Sequence, residues 1–289
     1  MRVLMAHVED VMREASARWT LVAYFFLSTL FIAIFASAIN LDVVDGALAG
    51  ASLFGRDMNM RGSTVDAVNF SEVVLGVSSV FAVVLYAFCT FLAIFATAHL
   101  VPRLQEKGTI DLYLSRPVSR VKMLLSRYLA GLILAGTNIV YLLGSIWLIM
   151  AWKTEVVNPR FLIAGGIMLF VVATLLAFSF LIGVITSSTA VSIMTTYGLC
   201  LFSVLLVFHE QFEATVSKDW QAWLIKTLYW IVPKVTELGQ VVFAFVMSSS
   251  DKVPDKIQNL MTVTPFISTG VFAVSCLVLA SWLFQRKEF

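Results

Sequence analysis

Apolar residues run through this chain in six long stretches, at positions 19–39, 73–100, 123–152, 161–185, 190–208 and 266–284, separated by polar segments. Each approaches or exceeds the roughly 20 residues a helix needs to cross a hydrocarbon layer of about 30 Å. Backbone at that depth must satisfy its own hydrogen bonds, so the pattern predicts six transmembrane helices. A seventh apolar stretch, 231–247, is interrupted by Pro233, Lys234 and Glu237 and reads as re-entrant or interfacial. Ahead of the first crossing, Leu4, Val8, Val11, Met12, Ala15 and Trp19 share one side of a helical wheel, while Glu9, Asp10, Arg13 and Glu14 take the other. Residues 1–18 are therefore expected to form an interfacial amphipathic helix on the lipid bilayer. Arg18 and Trp19 mark the headgroup level where the first span begins.

Composition agrees with the pattern. Of 289 residues, 60% are hydrophobic and only 13% charged, with a mean hydropathy of +0.90, whereas soluble domains carry about 25% charged residues. The surplus apolar surface must face lipid. The fold class expected is all-α: one polytopic membrane domain over 1–289. Ala36-Ser37-Ala38 matches a signal-cleavage pattern, but the long polar lead with its three acidic residues argues for a retained first span. With the N-terminus inside, the inner segments hold 11 of the 20 basic residues in the smaller share of loop, which predicts a multi-pass protein of the inner (cytoplasmic) membrane with both termini cytoplasmic. The outer loop 40–72 is acidic, with Asp42, Asp45, Asp57, Asp66 and Glu72 against Arg56 and Arg61.

Every Asp, Glu, Lys and Arg can be placed away from the centre of a span, which argues against a proton-coupled carrier or a charged ion filter. Cys89, Cys200 and Cys276 lie in apolar stretches and read as packing thiols. The turn at 186–189 leaves almost no loop, so the fourth and fifth spans must be antiparallel neighbours. Gly165, Gly166, Gly183, Ser192 and Gly198 would let helices approach closely. His7, His99 and His209 belong to no hydrolase or zinc motif, and His99 and His209 fall at opposite membrane faces. No phosphate-cradling Gly-x-x-x-x-Gly-Lys-[Ser/Thr] loop occurs, so no catalytic residue and no cofactor is expected in this chain. Met58 and Met60 could offer two thioethers to a soft ion, but two methionines alone are weak evidence and ordinary loop residues are the better account of them. The pI near 8.4 reflects loop lysines and calls for no nucleic acid partner.

The inner loop between the second and third spans carries the most information. Gly108 suits a helix stop. Thr109 suits an N-cap, with Asp111 at the positive end of the new helix dipole. Pro117 forces that helix to end by Arg116, and Ser119 can cap the third span. Ile110, Tyr113 and Leu114 cluster on one side and Leu112 points away from them. A short helix with apolar residues on two sides asks for two apolar neighbours, its own membrane domain and a partner protein.

The string from Glu106 to Arg120 resembles the coupling-helix signature of ABC-2-type permeases, which reads acidic-x-Gly-Thr-apolar-acidic-x-x-Leu-Ser-x-Pro-[Val/Ile]-Ser-Arg between the same two spans. Two departures are Leu104, where many members have an acidic residue, and Ser126-Arg127-Tyr128 in place of Gly-Lys-Tyr. The latter keeps a cation expected near the headgroups. The resemblance implies a cytoplasmic coupling-helix loop over 103–120, with Glu106, Gly108, Thr109, Ile110, Asp111, Leu112, Tyr113, Leu114, Arg116 and Pro117 docking an ABC ATPase subunit. It further implies a second permease copy, as a homodimer or with a related permease, ATP hydrolysis in a separate chain, and export of a small or amphiphilic substrate. A non-transporting membrane anchor for a partner ATPase is the alternative.

Overall fold

The structure, a computed structural model, describes residues 19–44, 47–53, 56–57, 70–105, 119–215, 219–248 and 263–287. The amphipathic helix expected over 1–18 lies outside them. The helices are α1 (Trp19–Ala38), α2 (Phe70–Thr97), α3 (Leu100–Leu104), α4 (Arg120–Thr154), α5 (Pro159–Thr186), α6 (Thr189–Leu206), α7 (His209–Thr215), α8 (Asp219–Ile231), α9 (Val235–Met247) and α10 (Thr264–Arg286). The chain is an all-α polytopic membrane protein. Among the described residues, five crossings are both long and apolar: Val74–Leu104, where α2 runs on into α3, and α4, α5, α6 and α10. With 20 residues and no charge, α1 rises about 30 Å and matches the same thickness.

One small element was not anticipated. Strands β1 (Ile39–Val44), β2 (Ala47–Leu53) and β3 (Arg56–Asp57) form an antiparallel sheet after α1, with Ile39 opposite Leu53 and Leu53 opposite Arg56. The alternation in Ile39-Asn40-Leu41-Asp42-Val43 is a strand signal, but the run of acidic residues made the segment read as loop.

The long helices pack around α5, which touches α2, α4, α6, α9 and α10. Van der Waals contact is what holds helices together in lipid, and it needs small residues at the crossings. A Cβ on Gly165 would stand 3.1 Å from Leu143, and one on Gly131 would stand 3.0 Å from Leu100 and 3.1 Å from Leu176. Gly166 and Gly198, grouped with Gly165 by sequence, instead meet nothing within 4 Å. Both face open space because their helices turn that side away from the bundle.

Hydrogen bonds sort the helix ends onto two faces. On one, Gln105, Ser119, Ser187 and Lys287 gather; on the other, Lys153 Nζ donates to Ala36 O at 2.7 Å and Asn158 Nδ2 to Val246 O at 3.2 Å. These are called here the loop face and the hairpin face. Asn158 caps α5 by accepting from Arg160 N at 3.1 Å, and its own carbonyl accepts from Trp147 Nε1 at 3.0 Å. The Arg160 guanidinium also donates to the Ser248 hydroxyl just past α9.

Between α8 and α9 the chain bends by 61° at Val232-Pro233-Lys234, where proline removes a ladder donor. Tyr86 Oη on α2 donates to Val235 O at 2.5 Å, and Ser79 Oγ contacts Met247 Sδ at 3.7 Å. Helix α9 therefore runs antiparallel to α2 along the half nearer the hairpin face. At 13 residues it rises about 20 Å, short of the hydrocarbon thickness.

α1 is attached to α4 by buried polar groups that the apolar pattern hid. Asn138 Nδ2 donates to Ser28 Oγ at 2.8 Å, and the Ser28 hydroxyl has two acceptors in reach, Asn138 Oδ1 at 3.1 Å and Tyr24 O at 3.0 Å; Ser28 and Asn138 are fully buried. One turn on, Thr29 and Tyr141 hydroxyls meet at 3.0 Å. Such links in bilayers contribute about 0.6 kcal/mol on average and up to about 1.7. Asn138→Ala should lower the detergent melting temperature, and a double-mutant cycle with Ser28→Ala should be non-additive by about 1 kcal/mol. Strictly additive melting shifts would show that the pair contributes nothing.

Candidate functional site

The loop face is where the sequence places its partner-binding segment. Glu106, Gly108, Thr109, Ile110, Asp111, Leu112, Tyr113, Leu114, Arg116 and Pro117 lie outside the described residues, but both ends of their loop are well defined. At the exit, Ser119 takes an extended conformation and its Oγ accepts from Lys122 N at 3.4 Å, capping α4 as its position before the apolar run foretold. At the entry, α3 carries Leu100, Val101, Pro102 and Leu104 into a buried cluster with Leu124, Phe180 and Phe284. Leu104 is fully buried there, a physical reason for an apolar residue where many members have an acidic one.

A polar knot joins these ends to the rest of the bundle. Gln105 Nε2 donates to Gly183 O at 2.9 Å, and Gln105 Oε1 accepts from Ser187 Oγ at 2.6 Å and from Lys287 Nζ at 2.6 Å. The same ammonium donates to Val184 O at 2.7 Å and to Ser187 Oγ at 2.8 Å. The carbonyls of Gly183 and Val184 belong to the last turn of α5; an amide donates to the first and a cation to the second, where the helix dipole is negative. Ser187 adopts φ 52°, unusual for a residue with a side chain, and its N–H returns to Gly183 O at 3.0 Å. That single left-handed residue makes the tight turn into α6. Arg120, the first residue of α4, donates to Lys287 O at 2.6 Å and Gln285 O at 3.3 Å at the end of α10. Desolvation lowers the pKa of Lys287 below the ordinary lysine value.

Close backbone approach makes the knot possible. A Cβ on Gly183 would lie 3.3 Å from Pro102, Val101 and Ser192 alike. Beneath the knot, Arg127 is only 2% exposed and donates to Leu100 O at 3.2 Å. The sequence leads one to expect this cation near the headgroups; it is buried among the helices because the irregular junction of α2 and α3 offers it a carbonyl.

A second feature lies deeper. Helices α2, α6 and α9 enclose a cleft of about 620 Å³ whose walls include Tyr86, Phe91, Tyr197, Thr236, Gln240 and Phe243. Among the described residues, no charged one lines it. Gly239 lets the Tyr86 ring come within 3.1 Å of where its Cβ would be, and Tyr197 stacks on Phe91 at 5.0 Å. Sequence reasoning missed this cleft, as it missed Gln105 and Lys287, because each is assembled from segments far apart in the chain.

A family model described as ABC-2 family transporter protein matches residues 9–289. The chain belongs to the ABC-2 transporter family. No curated protein matches it. As a member, it is a membrane-embedded permease subunit of an ABC transporter, and the knot lies at the described ends of the loop that carries the family's motif. Among the described residues no group of three or more His, Cys, Asp or Glu could hold a metal ion; Met58 and Met60 lie outside those residues.

Lys287→Ala leaves the Val184 carbonyl, the Gln105 amide oxygen and the Ser187 hydroxyl without their shared donor. It should lower thermal stability by about 0.5–1 kcal/mol and increase thiol-reagent labelling of a cysteine placed at Ser187. Unchanged labelling would show that Lys287 does not hold the turn.

Proposed function

We propose that this permease exports a small uncharged or amphiphilic substrate, driven by ATP hydrolysed on a separate ABC ATPase subunit that docks on the 103–120 loop at the cytoplasmic face. The supporting observation is the Gln105–Lys287–Ser187 knot. It ties the entry of that loop to the ends of α5 and α10, while Arg120 ties its exit to α10. A push delivered by a docked ATPase to 106–118 would reach α5, and through α5 every helix that leans on it. The apolar faces of Ile110, Tyr113 and Leu114 would meet the ATPase or the membrane domain, and Asp111 would sit in the first turn of the coupling helix.

The cleft between α2, α6 and α9 has the size of a small-molecule site, and its aromatic, hydroxyl and amide walls suit an amphiphile without net charge. The ATPase acts as a pair, so a second permease copy or a related permease completes the assembly. In this reading both termini are cytoplasmic, 1–18 lies along the inner surface, and 231–247 belongs to a re-entrant excursion from the outer face. The chain contributes no catalytic residue, cofactor or metal.

Tyr113→Asp and Leu114→Asp are expected to abolish ATPase copurification while the membrane domain keeps its melting temperature. Retention of the ATPase by both variants would refute the coupling role. In lipid discs, the intact complex should hydrolyse ATP faster when its substrate is added. An ATPase that binds this chain yet ignores every amphiphile offered would instead indicate a non-transporting anchor.

A further inference from the structure

Every hydroxyl in the walls of the α2–α6–α9 cleft spends its hydrogen on the protein itself. Tyr86 Oη donates to Val235 O at 2.5 Å and Thr90 Oγ1 to Tyr86 O at 2.7 Å. Tyr197 Oη donates to Phe91 O at 2.8 Å, and Thr236 Oγ1 reaches Ser203 Oγ at 3.4 Å. The carboxamide of Gln240 lies in the same walls and differs from all of these. Among the described residues nothing forms a hydrogen bond with it.

Its place on α9 explains why. Thr236, Gln240 and Phe243 recur at i, i+4 and i+7, the spacing of one helix face, and all three line the cleft. The opposite face, with Leu238, Val242 and Val246, is buried in the bundle. Helix α9 cannot rotate to hide the amide, because Tyr86 holds it twice, through the Val235 carbonyl and by ring contact at Gly239. Gln240 is therefore half-buried among apolar walls with both edges of its amide unused. An amide without a partner in such surroundings costs free energy, and ligand clefts place a few polar groups of this kind to fix orientation.

We propose that Gln240 selects the substrate of this cleft, an uncharged amphiphile that presents a carbonyl oxygen and an N–H side by side, as a primary amide or a lactam does. The inference rests on the reading of the cleft as the substrate site. A carboxamide carries one acceptor and two donors, so such a group closes two hydrogen bonds with it at once. A hydrocarbon of the same shape would leave the amide unpaired, which is how a site built for hydrogen bonding rejects analogues. A charged headgroup would find no counter-ion among the described walls. The cleft also sets a length. Gln240 lies five residues beyond the Tyr86–Val235 contact along α9, and the stacked Phe91–Tyr197 pair begins five residues beyond it along the antiparallel α2. At the helical rise, the amide and the aromatic floor stand about 15 Å apart, room for a ring and a short alkyl chain.

The test uses the full chain in phosphatidylcholine discs and a photoprobe, para-hexylbenzamide with a diazirine in its alkyl chain. Competitors are para-hexylbenzamide, its N,N-dimethyl amide, which keeps the acceptor and loses the donor, and hexylbenzene, all counted per disc lipid. The photolabel should fall on the peptides carrying Phe91, Tyr197 and Phe243. The primary amide should compete about tenfold better than the dimethyl amide or hexylbenzene. Gln240→Met, of similar length and without hydrogen-bonding groups, should abolish that preference while hexylbenzene competes as before. The ranking in wild type provides the readout if the variant fails to fold. Equal competition by the three compounds in wild type, or an unchanged ranking in Gln240→Met, would overturn the role of Gln240 and leave the cleft as a site. Photolabel absent from the cleft walls would remove the substrate-site reading as well. Disulfide formation by Gln240→Cys between two copies, with exclusion of the probe, would assign the carboxamide to a protein interface instead.

Discussion

Close packing against α5 is the constraint on which the rest of this structure depends. Lipid tails are as apolar as leucine, so helices in a bilayer gain nothing by hiding apolar surface from one another. They associate where backbones come close enough for dense contact and where polar groups find partners. Helix α5 supplies the first with Ala164, Gly165, Ala177 and Gly183, all of which face neighbouring helices. Its neighbours therefore stand at fixed distances from one axis. Displacing that axis displaces them together.

The two ends of α5 supply the polar partners. At the hairpin face Asn158 caps the helix and reaches the last turn of α9. At the loop face Gln105 and Lys287 satisfy the final carbonyls and bring in α3 and α10. Each tie uses groups that a helix terminus leaves unpaired by geometry, so the links need no charge at mid-membrane. This is how a bundle with so few charges can still connect its faces. The cleft, the bent α8–α9 pair and the loop that carries the coupling signature all hang on this one helix, and a mechanical role for the permease becomes physically reasonable on that basis.

Local signals were read well where the physics is local. Ser119 caps α4 because a serine before an apolar helical run has a free N–H within reach. The 186–189 turn is tight because four small polar residues leave no length for a loop. The strand alternation at 39–43 was present but was outweighed by the acidic composition of its surroundings. The burial of Arg127 was hidden for the opposite reason: its hydrogen bond runs to the carbonyl of Leu100, twenty-seven residues earlier. Gln105 and Lys287 look like ordinary polar residues until the fold sets them 2.6 Å apart.

The sequence by itself determined the membrane, the crossings and the family, since apolar length and a contiguous motif do not depend on what packs against what. Tertiary structure alone decided which glycines are contacts and which face open space, where α9 stops, and how an uncharged cleft forms between α2, α6 and α9. Those outcomes depend on distances between residues remote in the chain, and in a bilayer nearly every side chain is apolar. Hydropathy then says that a residue is in the membrane and is silent on its neighbour.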